Sequence, residues 1–207
     1  MNGPPSFSRR QWIRAGLATC GYLAGEGLVQ AESRAVSAPN GYTRPGPVID
    51  RERAPGLQAR VVAENSNGEK TYAVIFAKGD EILSGLTEFA EREKITAGYF
   101  TAIGALHKAR FGWFDLVHKA YRDIPIERQV ELISLIGNVA LVNGVAQIHA
   151  HGAVGLPDGR VRGGHLLQAI VWPTVELFFT ACPTTLVKGH DDETDLFLFD
   201  LKASTHQ

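Results

Sequence analysis

The chain has 207 residues, 44% of them hydrophobic and 21% charged, with a formal net charge of −1. These values fit one globular domain, with or without an appendage, and exclude wholesale disorder. They supply neither a basic surplus for nucleic acid nor a long like-charge run for an interaction tail.

The first residues read as a leader. Ser8-Arg9-Arg10-Gln11-Trp12-Ile13-Arg14 resembles the twin-arginine export motif, with Trp, Ile and Arg where Phe, Leu and Lys are usual. A weakly apolar stretch over 15–25 follows, too short to span a bilayer, and Val29-Gln30-Ala31 offers small residues for cleavage. The expectation is a signal segment over 1–31 and a periplasmic or secreted protein with no stable membrane span after cleavage. Cleavage after Ala31 leaves 18 basic against 21 acidic residues, a net charge of −3, which disfavours DNA on electrostatic grounds. It also removes Cys20, so Cys182 has no internal partner and no disulfide framework is expected.

Residues 32–56 contain Pro39, Pro45, Pro47 and Pro55 and little apolar content, so a linker or arm without packed structure is expected. The ordered domain is expected over 57–203. Residues 57–64 and 71–77 read as strands about an Asn65-Ser66-Asn67-Gly68 turn. Gly79-Asp80 breaks the second strand, with Asp80 placed to cap a helix. Over 81–94, Ile82, Leu83, Leu86, Phe89 and Ala90 recur at helical spacing while Glu88, Glu91, Arg92 and Glu93 face out. Strands are expected over 99–105, 109–117, 129–136, 139–142, 171–181 and 196–201. Asn143-Gly144 forms a tight turn into the next strand, and Trp172-Pro173 marks a bend or edge. One helix among many strands predicts an α+β fold with a largely antiparallel sheet.

The chemistry concentrates in Gln147-Ile148-His149-Ala150-His151-Gly152 and Gly163-Gly164-His165, joined through Leu156-Pro157-Asp158-Gly159-Arg160. Side chains alternate along a strand, so His149 and His151 share a face. A three-residue loop, with Gly159 in the left-handed position, pairs 156 with 160 and 151 with 165. His165 then stands opposite His151, with His149 one diagonal step away. A two-residue loop over Pro157-Asp158 pairs 150 with 165 instead and turns His165 to the other face; Gly159 favours the first. A single histidine is ordinarily a packing or hydrogen-bonding residue. Three of the chain's seven on one face match a zinc site that keeps a fourth position open.

Several stretches together resemble the PPC (plant and prokaryote conserved) domain: Gly79-Asp80-Glu81-Ile82-Leu83, Ala102-Ile103-Gly104-Ala105-Leu106, Val130 through Asn138, His149-Ala150-His151, Gly163-Gly164-His165-Leu166 and Pro173-Thr174-Val175-Glu176. The resemblance covers about residues 70–200. It implies a compact α+β domain with a curved, mostly antiparallel sheet and few flanking helices, assembled as a homotrimer. In plants such domains accompany AT-hook segments that bind DNA. This chain has no AT-hook and resembles the bacterial and archaeal branch, in which His149, His151 and His165 are the implied Zn2+ ligands.

Two classes of function follow. In one, an exported zinc-binding homotrimer acts on an unknown small ligand by hydrolysis or hydration, the catalytic residues being unassigned. Glu176 is the carboxylate considered for an acid or base, since a Glu buried in an otherwise apolar strand is costly without a partner, although a structural hydrogen bond or salt bridge is the simpler role for it. Asp115 and His118 read as a strand end. In the other, the domain is a non-enzymatic ligand- or protein-binding module, or a DNA-associated one like its plant relatives.

Overall fold

The computed structural model describes residues 39–46 and 53–206; the expected leader lies outside them. The elements run β1 (Tyr42–Thr43), β2 (Gln58–Glu64), β3 (Lys70–Phe76), α1 (Ile82–Arg92), β4 (Ala97–Asp115), β5 (Ala120–Ile126), β6 (Val130–Val142) and β7 (Val145–Gly155). They continue with β8 (Val161–Ala181), β9 (Thr184–Thr185), β10 (Lys188–Asp191), β11 (Leu196–Phe199) and β12 (Thr205–His206).

Eight strands form one sheet in the order β1-β5-β4-β6-β7-β8-β3-β2, with every pairing antiparallel. β4 also pairs with β8. Strands β4, β6, β7 and β8 therefore close a hydrogen-bonded circuit, and the sheet must curve to do so. Register shifts at Ala102/Gly104, Gly104/Leu106 and Arg110/Phe111 let the 19-residue β4 bend through it. These bulges explain why stretches expected as separate strands are continuous. Residues 99–105 and 109–117 fall within or beside β4, 129–136 and 139–142 lie mostly on β6, and β8 runs on past Trp172-Pro173.

The core lies between the sheet and α1. The helix buries Ile82, Leu83, Leu86, Phe89 and Ala90, the face its periodicity predicts. Phe89 meets Tyr72 and Phe179 edge-on at 5.2 and 5.4 Å, and Phe179 stacks on Phe100 at 5.7 Å. The helix is capped by Glu81, whose side chain accepts from the Ser84 N–H at 2.7 Å. Asp80, the expected cap, instead accepts from the Gly56 and Ala77 N–H groups and ties the chain entering the helix to β3.

Three features depart from expectation. β5 was hidden by Pro125, which its pairing with β4 accommodates. β10 is short and polar and gives no periodic signal. Part of the expected linker is packed: Tyr42 and Thr43 pair with Arg122 and Tyr121, and Ala54 packs on the core. Hydrogen bonds from Tyr42 to Asp115 and from Thr43 to Asp123 secure the arm, although its composition is polar.

The strand leading to His165 needs glycine. Gly164 has φ +150°, and a Cβ there would lie 2.6 Å from the Gly112 carbonyl oxygen, a backbone atom that cannot rotate away. Gly164→Ala is expected to destabilise the fold by about 1–3 kcal/mol, read as a lower urea midpoint at unchanged m-value. Wild-type stability in that variant would show that β4 and β8 have freedom to separate.

Candidate metal centre

The β7–β8 hairpin forms with the three-residue loop. The Leu156 N–H donates to the Arg160 carbonyl at 2.8 Å, Gly159 has φ +80°, and Gly155 pairs with Val161. The register carries back to His151 opposite His165. Their ring centroids lie 5.3 Å apart, and His149 is 5.2 Å from each. The three imidazoles thus make a nearly equilateral triangle.

One candidate ligand nitrogen from each ring lies within 4.8 Å of the others, and Nε2 of His149 is 3.2 Å from Nε2 of His151. Two ligands on a tetrahedral zinc at about 2.0–2.1 Å stand about 3.3 Å apart, so the His149–His151 pair already has that spacing. The widest gap would close by up to about 1.5 Å. Among the described residues the cluster includes no carboxylate.

Its surroundings keep the rings neutral. Burial pushes His149 down to about 4 and His165 down to about 3, with the Lys188 charge and the neighbouring imidazoles adding to the effect. Burial also lowers His151. Neutral imidazole is the form that ligates a metal. Two polar atoms here are buried without a hydrogen-bond partner: Nδ1 of His165 and Oδ1 of Asn138. Asn138 is the cross-strand partner of His149. Orphaned atoms of this kind are uncommon and call for a ligand, ion or water. The donor set fits a divalent metal with nitrogen preference.

The site is assembled from more than its hairpin. Tyr121 of β5 stacks on His165 at 4.1 Å and 10°, while burial raises its hydroxyl pKa and keeps it a neutral donor. Pro45 and Gly46 of the arm, together with Leu196, Phe197 and Leu198, line a small cavity with His149 and His165. Tyr121 and Lys188 carried no signal in the sequence, because neither lies on a patterned motif.

The other candidates lie elsewhere. Glu176 is exposed, because it falls on the outward-facing positions of β8 beside Ile103 and Ile75. It lines a cleft that contains none of the three histidines, so the burial that made it notable in the sequence is absent. Asp115 accepts from the N–H groups of Val117 and His118 and sits 2.8 Å from Nδ1 of His118, the strand-end role expected of it.

An imidazole held neutral by burial takes up its proton more readily in the unfolded chain, near pH 6.5. The unfolded state then binds more protons below that value, so stability is complete above about pH 6.5 and falls as pH drops towards 4. Metal-free protein is expected to lose on the order of 2–3 kcal/mol between pH 6.5 and 4.5 from His149 alone. A His149→Gln/His165→Gln variant should show a flatter profile in thermal unfolding. Parallel profiles would mean that the rings are hydrated.

Comparison with known proteins agrees with this architecture. Residues 63–183 match the family model of the Plants and Prokaryotes Conserved (PCC) domain, while no curated protein matches the chain. Among solved structures, a plant- and prokaryote-conserved protein of Pyrococcus horikoshii is similar at 33% identity and TM-score 0.60, over 63% of this chain and 90% of that one. A protein described as metal-containing, from Archaeoglobus fulgidus, is similar at 28% identity and TM-score 0.60, over 70% and 97%. A Ralstonia eutropha protein that carries a provisional DNA-binding name is similar at 30% identity and TM-score 0.61, over 67% and 94%. The matched segment holds the closed strand circuit, α1 and all three histidines, and the chain belongs to the Plants and Prokaryotes Conserved domain family.

Proposed function

We propose that this protein is a zinc-binding domain whose ligands are His149, His151 and His165. The convergence of three imidazoles, two of them partly buried, with an orphaned ring nitrogen carries this assignment. The metal-containing relative from Archaeoglobus fulgidus supports it. A bound zinc supplies Lewis acidity and an acidified water at its open position, which suits hydrolysis or hydration of a small substrate. The protein's own rings hold that position on the outer face of the circuit, and Tyr121 fixes the plane of His165.

A homotrimer is part of the same proposal. Phe178, Thr101, Ile136, His151 and His165 follow one another as direct cross-strand partners over β8, β4, β6, β7 and back to β8. Ile103, Phe178 and Tyr99 are more than half exposed on this face, an apolar patch of the sort that marks protein contact. A second copy seated there would lie beside His151, within reach of the open ligand position. Phe178→Glu is expected to convert a trimer into monomers in light scattering. A wild-type protein that is monomeric at micromolar concentration would remove the homotrimer.

The decisive measurement is elemental analysis of the mature protein, of unexported precursor, and of a His149→Ala/His151→Ala variant. About one zinc per chain is expected in the first two and none in the variant. Zinc already present in the precursor would agree with folding and loading before twin-arginine export. Absence of metal from both wild-type forms would leave the histidines as packing residues and the chain as an assembly module.

A further inference from the structure

Among the described residues, three buried side-chain polar atoms lack a hydrogen-bond partner. Two of them, Nδ1 of His165 and Nε of Arg110, belong to residues that line one cleft of about 470 Å³. Strand register explains why the two residues meet. Arg110 and Gly112 are two apart on β4, so they address one face, and Gly112 is the cross-strand partner of His165. Arg110 itself pairs with Gln168, which lines the same cleft. Unpaired polar atoms on the walls of a space large enough for a small molecule call for a ligand.

The walls also set the kind of ligand. The charged residues of the cleft are Arg44, Arg110 and Glu81. Glu81 is already engaged: one oxygen accepts from the Ser84 N–H and the other from the Ala169 N–H. Asp123, the carboxylate facing Arg110, stands 3.8 Å from Nη1, too far for a hydrogen bond, and accepts from the Thr43 hydroxyl at 2.8 Å. The Arg110 side chain is 42% exposed, so it has room to turn its Nε edge outward. In a planar guanidinium Nε and Nη2 share an edge that excludes Nη1, and that edge takes two oxygens of a carboxylate or phosphate together. Leu83, Ile148 and Leu166 form an apolar wall of the cleft, which suits a hydrocarbon body rather than a second charge.

We propose that this cleft receives a small molecule with one carboxylate or phosphate group and an apolar body, Arg110 gripping the oxyanion and the body lying towards His165. The cleft stands without the metal; the occupant's role as substrate of the metal site rests on the zinc assignment above. Binding needs no covalent step: the oxyanion accepts charge-assisted hydrogen bonds from the guanidinium while the body displaces water from the apolar wall. Arg110 is thereby the residue that selects an anion over a neutral molecule of the same shape.

Isothermal titration calorimetry of full-length, zinc-treated protein at pH 7 tests it, with phenylacetate, phenyl phosphate and the neutral phenylacetamide as probes. An anion is expected to bind saturably, about one per chain and at least about 10-fold more tightly than the amide. The tighter of the two anions identifies the oxyanion. Arg110→Gln should weaken that anion about 10- to 100-fold, with zinc content and far-UV circular dichroism unchanged. Should that variant misfold, the preference of the wild type for anion over amide still decides. A wild type that binds neither anion, or binds phenylacetamide as tightly, overturns this inference and leaves the metal site standing, as does a folded Arg110→Gln with wild-type affinity. Protein that takes up no zinc yet shows Arg110-dependent anion binding removes the zinc assignment and keeps the cleft.

Discussion

The register that sets His151 opposite His165 is the constraint on which the site depends. Strand side chains have a period of two, so a slip of one residue in the β7–β8 pairing would turn His165 to the other face. Two devices fix it. The Leu156–Arg160 hydrogen bond closes the loop at one end, and the Gly163-Gly164 pair permits close backbone approach at the other. Gly163 would place a Cβ against the Gly152 carbonyl, and Gly164 would place one against Gly112. Neither position accepts a side chain while both partner strands remain paired.

The closed circuit of β4, β6, β7 and β8 turns that local geometry into chemistry. Because β4 pairs with both β6 and β8, the histidine rung is continuous with the rest of the curved face and cannot open like a free hairpin. Rigid placement holds three rings close together, and partial burial denies them protons at neutral pH. Desolvation works against stability here: buried imidazoles without full hydrogen-bond partners and a buried lysine weaken the fold unless a ligand compensates them. Such a concentration of unsatisfied groups is the signature of a binding site.

Elements outside the family segment complete the surroundings. The N-terminal arm pairs with β5, and the β10–β11 hairpin contributes Leu196, Phe197 and Leu198 beside His149 and His165. The core domain thus supplies the three histidines while its extensions supply much of the wall. Function on a shared domain can therefore differ with what its extensions place beside the site.

Patterned stretches were legible in the sequence. The apolar spacing of α1, the Asn143-Gly144 turn, the histidine alternation and the loop at Gly159 depend on interactions a few residues apart, so local periodicity and turn chemistry specify them. Residues brought together by long-range pairing were not legible. Tyr121 stacks on His165 across β5, β4 and β8, and Asn138 meets His149 through the β6–β7 register. Lys188, whose charge lowers the pKa of His149 and His165, lies on a short polar strand without periodicity. Glu176 looked buried in an apolar run, yet the strand's alternation places it on the outward face. The sequence by itself determined the three histidines and the face they share, since strand alternation and turn type are local properties. The tertiary structure alone decided their depth, their neighbouring charges and the apolar surface beside them, because desolvation and cross-sheet contact depend on which distant strands close the circuit.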